Sequence, residues 1–300
     1  PPTFRHIGEI TVCEISTRQS RVGIATAVRT SLAGADRTDE RRIDAASQHT
    51  REWRIRLERG RPVTLTKTAA VFTSHDRAVT EPGTATVSLL TGHGGDIAIL
   101  LERHEAAWRR LWDRFTVTLD ADTHSRLILN LHVFHLLQTL SPHTTGLDAG
   151  VPARGLHGEG YRGHVFWDEV FVIPFLATRR PEISRALIDY RWRRLPAARA
   201  AATSAGLAGA MFPWQSGSDG REETPESLYN PRSGRWMPDN SHRQRHVGLA
   251  IAYDAWQHYQ ATGAPDWLAE RGGELIVEVP RLFASLAEHD PTGDRFHIAG

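Results

Sequence analysis

The spacing of apolar side chains changes once along this chain, from a period of two before residue 74 to a helical period after residue 96. A chain with that change must build a sheet first and a helical array second, because the two periods present side chains to different faces. Between Ile7 and Ser74 the segments ITVCEIS, SRVGIATAVRT, REWRIRLERG and PVTLTKTAAVFTS alternate or carry β-branched residues, with Gly, Asp and Arg-rich turns between them. They predict part of an antiparallel sandwich. Four strands are too few to close one, so further strands are expected upstream of Pro1.

Over Asp96 to Phe115, Ile97, Leu100, Leu101, His104, Trp108, Leu111, Trp112 and Phe115 fall on one helical face, after the Gly92 to Gly95 punctuation. This predicts a connector helix. Leu127 to Leu140 is apolar over so wide a face that burial on most sides is expected, whereas Pro181 to Leu195 carries a narrower stripe of Ile183, Leu187 and Tyr190. Inner and outer helices would differ in this way. His246 to Gly263 and Trp267 to Leu286 continue the pattern, with Gly263 as a helix stop. Pro280 in a helix interior would cost ~3 kcal/mol, which predicts a kink or a fresh start there. Long loops are expected at 141–166, 204–240 and after 288, and loops of that length in a compact domain are usually functional.

Composition excludes several classes. The 300 residues are 40% hydrophobic, enough for real cores, and 36 basic against 35 acidic residues leave a net charge of +1 without long single-sign runs. No nucleic acid and no anionic membrane is implied as a partner. Lys67 is the only lysine, a bias that genomic base composition explains, with bidentate anion recognition by arginine as the lesser alternative. Cys13 stands alone, so no disulfide or thiolate metal site forms within the chain, and it is expected as a small core residue. No apolar run approaches the ~18 residues that span a bilayer, and the N-terminus has no charged n-region or h-region. A cytoplasmic protein is expected, and the missing initial Met and the end at Gly300 predict a fragment of a longer polypeptide.

The chemistry concentrates in RGLHGEGYRGHVFWDEVFVIPF (154–175) and MFPWQSG (211–217). Sugar recognition needs a flat apolar surface for the C–H face of the ring and planar polar groups for vicinal hydroxyls. Trp167 with Asp168, and Trp214 with Gln215, each supply both. The competing reading makes both tryptophans core residues at helix starts with Asp168 as a cap, and composition leaves the two open. Glu159, Gly160, Gly163 and His164 form a turn-rich lead, and glycines at 155, 158 and 160 suit backbone brought close to a ligand or ordinary turns. No strand precedes this run and no G-K-S/T ends it, so it is not a phosphate loop. His157, His164, His242 and His246 are the metal candidates, but only the last two are four apart and no Glu follows His242, so no metal is assigned. Among Asp219, Glu222, Glu223, Glu226 and Asp239, most should be solvated or capping. Glu223, beside Thr224-Pro225, is the one chosen to face a sugar. No G-x-S-x-G elbow supports a Ser/His/Asp hydrolase.

At these residues the chain resembles glycoside hydrolase family 65, the maltose, kojibiose and trehalose phosphorylases and related hydrolases. The matching text is PARGLHGEGYRGHVFWDE at 152–169, DYRWRRLPAAR at 189–199, GAMFPWQSGSDGREETP at 209–225 and HVGLAIAYDAWQHYQATG at 246–263. KTAAVFTSHD (67–76) and LLERHEAAWRRLW (100–112) resemble the end of the family's sandwich and its linker helices. The resemblance implies an α+β multidomain chain: the end of a β-sandwich at 1–92, a helical linker at 93–120, and the first part of an (α/α)6 barrel at 121–300. It also implies that Trp167 and Asp168 hold the glucosyl unit, that Trp214 and Gln215 shape disaccharide binding, and that Glu223 and His246 lie near the site.

The departures limit the transfer. The chain is one residue shorter between Asp168 and Phe171 than the common form, which leaves the role of Glu169 open. Gln215 stands where kojibiose phosphorylases carry Glu, and Ala250 where some members carry Asp. The general acid that the resemblance implies, a Glu in a G-P-D-E motif, is expected beyond Gly300, so no catalytic residue is assigned within the chain. The expected activity is cleavage of an α-glucosidic disaccharide such as trehalose, maltose or kojibiose with inversion. Phosphorolysis to β-glucose 1-phosphate, with inorganic phosphate as co-substrate and no other cofactor, is the first expectation. Hydrolysis by water is the second, and a non-catalytic carbohydrate-binding scaffold the third. The partner is a small disaccharide, and a homodimer is left open.

Overall fold

The computed structural model describes residues 2–35, 38–92, 97–156, 158 and 160–298, and the chain divides into two compact units, 1–110 and 111–300. Strands and helices are both present, and no described helix is long and apolar enough to cross a membrane.

The first unit contains β1 (Thr3–Ile7), β2 (Ile10–Ser16), β3 (Gly23–Ala33), β4 (Thr38–Ala45), β5 (Gln48–Ile55) and β6 (Thr64–Thr73). An antiparallel sheet runs in the order β1-β2-β3-β6, and β4 and β5 form a separate hairpin. The register places Val12 opposite Ala27 and Ala27 opposite Ala70, so inward positions of three strands meet with Ile10 in one small core. The period-two reading is borne out for β2, β3, β5 and β6; β1 and β4 were not anticipated. Cys13 is only partly buried.

Leu90 completes that core from helix α1 (Pro82–Gly92), which the alternation did not predict. Its Gly, Thr and Val content is poor for a helix. Glu81 offsets this by accepting the backbone N–H groups of Gly83 at 3.1 Å and Thr84 at 2.5 Å, and Thr86 and Leu90 are buried beneath it. The expected connector helix follows as α2 (Ile97–Phe115).

The second unit holds α3 (Thr123–Thr139), α4 (Glu169–Ala177), α5 (Pro181–Arg193), α6 (Leu195–Ser204), the hairpin β7 (Ser227–Asn230) and β8 (Arg235–Pro238), and α7 (His246–Thr262). A helical turn α8 (Pro265–Trp267), a π turn at Leu268–Gly272, α9 (Gly273–Leu286), and the hairpin β9 (Ala287–Asp290) and β10 (Arg295–Ile298) complete it. Helices α4, α5, α7 and α9 pack together around Ile173, Leu187, Ile188, Val247, Ile251, Leu275 and Val279. Gly263 adopts φ 62° and donates to the carbonyl of Tyr259, the left-handed stop expected of glycine there.

Three expectations are corrected. Helix α3 is not buried on most sides: Leu127, Ile128 and Leu131 are exposed, and within it only Val133 and Leu137 are buried. The narrow-stripe helix α5 is the better covered one, with Ile183, Leu187 and Tyr190 buried along with Asp189 and Arg191. Hydrophobicity sets which face can be covered, but tertiary packing sets which face is. Pro280 lies inside α9, so the fresh start is overturned and the kink is the alternative left open; the π turn at 268–272 precedes that helix. The loop expectations also gain structure, because hairpins occupy 227–238 and 287–298.

Candidate active site

The two tryptophan motifs are joined by one short antiparallel bridge. Val165 donates its N–H to the Ser216 carbonyl at 2.8 Å and Ser216 returns the bond at 3.0 Å. Residues 166–168 on one side and 214–215 on the other are thereby held in register. His246, at the first turn of α7, stands between the indoles, 5.6 Å from Trp167 and 5.0 Å from Trp214 between ring centres, edge-on to both. Phe166 packs edge-on against Trp214 from behind. Four side chains from three segments thus make one aromatic wall, with Trp167 37% exposed and available to a ring face.

Asp168 stands at the N-cap position of α4, but its side chain makes no capping bond. The cap reading for this residue therefore fails. Its carboxyl is half-buried, and loss of solvent raises its pKa above the usual aspartate value. It lines a cavity of about 380 Å³ together with His132, His135, Thr139, Arg154 and Phe171. Gly155 in that rim has φ 55°, and a Cβ there would lie 2.7 Å from Thr139 Oγ1, so only glycine suits this turn.

Beneath this wall lies a buried polar layer. The Arg191 guanidinium donates to Glu169 Oε2 at 2.8 Å, to the Phe166 carbonyl at 2.7 Å and to Ser216 Oγ at 3.4 Å. Glu169 Oε1 accepts from the Val151 amide at 3.3 Å, and the Tyr190 hydroxyl reaches Ser216 Oγ and the Gly217 carbonyl. Burial pushes the Glu169 carboxyl up, while the Arg191 charge and the Val151 amide pull it back. Arg191 thus ties both sides of the Val165–Ser216 bridge to α4. Glu169, whose role the sequence left open, is a support and does not face solvent.

Asp254, on the core face of α7, extends this layer. Burial, and then the Glu169 charge, push its pKa up to about 8, and its Oδ1 is buried without a partner.

Gln215 is buried, and its backbone carbonyl accepts the Glu223 amide at 2.8 Å. Glu223 is brought beside the Trp214-Gln215 pair by that bond, while its side chain is half-buried and paired at 3.5 Å with Arg221. The carboxylate with the larger local task is Glu222. It accepts the N–H groups of Trp214 at 2.8 Å, Gln215 at 3.2 Å and Thr224 at 3.1 Å, and the Thr224 hydroxyl at 2.6 Å. Sequence reading placed it among capping acids without seeing that it fixes Trp214. Arg191 was missed as well, although its position one residue from Tyr190 and four from Leu187 on a buried stripe was the available signal.

His164 is half-buried, with Nδ1 2.9 Å from the Tyr161 carbonyl, in a turn where Tyr161 and Arg162 both adopt positive φ, 62° and 51°. His157 and Glu159 lie outside the described residues. Among the described residues, His164, His242 and His246 join no group of three potential metal ligands.

Comparison with known proteins follows the same division of the chain. The family model described as glycosyl hydrolase family 65, N-terminal domain, matches residues 4–111, and the one described as the family 65 central catalytic domain matches residues 130–300. An uncharacterized glycosyl hydrolase of Mycobacterium tuberculosis is 48% identical over 291 residues, 95% of this chain and 22% of that protein. The trehalose 6-phosphate phosphorylase of Lactococcus lactis is 35% identical over 299 residues, 95% of this chain and 36% of the relative. A solved structure, a candidate kojibiose phosphorylase from the human microbiome, superposes with TM-score 0.73 at 17% identity, over 100% of this chain and 38% of that one. The chain therefore spans less than two fifths of the length of these proteins. With two consecutive domain models of one family matching most of its residues, the chain belongs to glycosyl hydrolase family 65.

Proposed function

We propose that this chain carries the sugar-gripping part of an inverting enzyme that cleaves an α-glucosidic disaccharide. The observation that carries the reading is the Val165–Ser216 bridge, which sets Trp167, Asp168 and Trp214 around His246 with the Asp168 carboxyl free of the helix it begins. Trp167 supplies a stacking face and Asp168 a charged acceptor for vicinal hydroxyls of the glucosyl unit. Trp214 and Glu223 face the neighbouring sugar, the buried Gln215 shapes that side from beneath, and His246 fixes the angle between the two indoles. We further propose a division into the end of a β-sandwich at 1–92, a linker at 93–120 and the first part of an (α/α)6 barrel at 121–300; the family matches, 4–111 and 130–300, support the separation of an N-terminal from a catalytic part.

Cleavage with inversion needs a carboxylic acid to protonate the departing oxygen and a nucleophile on the opposite face of the ring. We assign neither to a residue of this chain. Inorganic phosphate brings its own negative charge, so a phosphorylase needs no protein base, whereas a hydrolase needs a second carboxylate to activate water. The phosphorylase name of the Lactococcus relative, matched across 95% of this chain, favours phosphorolysis.

The test is incubation of the full-length protein with trehalose, maltose, kojibiose and nigerose, with and without phosphate, assaying β-glucose 1-phosphate and free glucose. Sugar phosphate formed only with phosphate present is the expected result. Glucose released from both halves of a disaccharide without phosphate would establish hydrolysis instead. Binding without turnover in the full-length protein would leave the scaffold reading.

A further inference from the structure

The strand unit holds a constellation that sugar cleavage does not use. His6 lies on β1, while Asp44 and His49 face each other as a cross-strand pair beside the tight turn between β4 and β5. One ligating atom from each side chain lies within 4.8 Å of the other two. Asp44 Oδ1 is 2.5 Å from His49 Nδ1 and 3.5 Å from His6 Nε2, and the two imidazole centres are 4.4 Å apart.

A lone aspartate–histidine hydrogen bond would explain the Asp44–His49 contact but not the third donor. His6 pairs across the first hairpin with Thr11, whose hydroxyl lies 3.2 Å from His6 Nδ1. That bond occupies one ring nitrogen and leaves Nε2 directed at Asp44, the outer support that orients metal-bound histidines. His49 is held more firmly, with its side chain 7% exposed and its Nε2 buried without a partner. Asp44, by contrast, is 63% exposed, so its carboxylate can rotate and water can reach the remaining positions.

We propose that His6, Asp44 and His49 bind a divalent transition-metal ion of the zinc type, clasping β1 to the β4–β5 hairpin. Two imidazole nitrogens and one carboxylate oxygen suit zinc and its neighbours, not magnesium or calcium. Tetrahedral ligand bonds of about 2.1 Å set donors roughly 3.4 Å apart. The His6–Asp44 separation already matches, and the Asp44–His49 contact opens by about 1 Å through rotation of the exposed carboxylate. Because β1 belongs to the four-stranded sheet and β4–β5 to a separate one, the ion joins two sheets that share no ladder.

Zinc is titrated into the chelator-stripped, full-length protein by calorimetry, with thermal unfolding followed in parallel. The expected result is a zinc-dependent rise in Tm, with affinity at this site weakened at least about tenfold in His6→Ala and in Asp44→Asn and the Tm rise lost in both. These variants carry the test because both residues are solvent-accessible, whereas His49→Gln could unfold the hairpin; circular dichroism verifies that each variant is folded. Unchanged zinc affinity and Tm rise in both folded variants would place the binding on other histidines and overturn the proposal. Absence of any zinc-dependent Tm rise in the unsubstituted protein would overturn it as well.

Discussion

Asp168 begins α4 without capping it, so its carboxylate can be removed at little cost to the helix. Asp168→Asn is therefore expected to leave Tm nearly unchanged while lowering kcat/KM roughly 10- to 150-fold, the loss of a charge-assisted bond of about 1.5–3 kcal/mol. An unchanged rate in the disaccharide assay would remove Asp168 from the site. Glu222 acts differently, because its carboxylate receives three backbone amides of the Trp214 loop. Glu222→Ala should loosen that loop and speed trypsin cleavage after the exposed Arg221; a wild-type digestion rate would disprove the clamp. At this scale the sequence was legible where a motif marks residues that folding then gathers, as it does Trp167, Asp168 and Trp214. It was silent where a residue acts through backbone groups brought near by folding, as Glu222 and Arg191 do.

At the scale of single elements, α7 turns Val247, Ile251, Asp254, Ala255 and His258 toward the core on one stripe. Two ionisable residues on a buried stripe cost stability unless paired or neutral. His258 is neutral, with burial pushing its pKa down to about 4, and it meets Ser184 Oγ at 2.5 Å. Asp254 is protonated in the folded state up to about pH 8 but ionises near the ordinary aspartate value of 3.8 when unfolded. The folded state thus holds one more proton across that window, so this residue's contribution to stability falls as pH rises from 4 to 8. Asp254→Asn should remove that fall, and a wild-type-minus-variant Tm difference independent of pH would refute it. The Arg191–Glu169 pair sits at 3% side-chain exposure on both sides. Arg191→Met leaves a buried carboxylate alone and is expected to cost about 3–5 kcal/mol in denaturant unfolding. A loss near zero would mean that Glu169 simply takes up a proton. Elements were legible where periodicity and packing agree, as in α7, and illegible where tertiary burial overrides propensity, as in α1.

Across the whole molecule, apolar surface remains open in the second unit: Leu127 is 63% exposed, Leu131 47%, Phe171 68% and Trp256 43%. Exposed apolar area of this kind marks interaction surface or aggregation liability. The isolated 300-residue chain is expected to bind a hydrophobic dye strongly and to self-associate, and Leu127→Glu with Leu131→Glu should reduce both. Equal dye binding in that variant would show that this face is not responsible. The sequence by itself determined the order of sheet before helices, the stop at Gly263 and the aromatic and polar character of the 166–168 and 214–215 motifs. These follow from local periodicity, backbone freedom and side-chain chemistry, which need no distant partner. Only the tertiary structure decided that α3 is the open helix and α5 the covered one. It alone paired Val165 with Ser216 to bring the two tryptophans around His246, and gathered His6, Asp44 and His49 from three strands. Those outcomes depend on contacts between residues far apart in sequence, such as Trp167 and His246, 79 positions apart, and no local pattern encodes which of the available faces will meet.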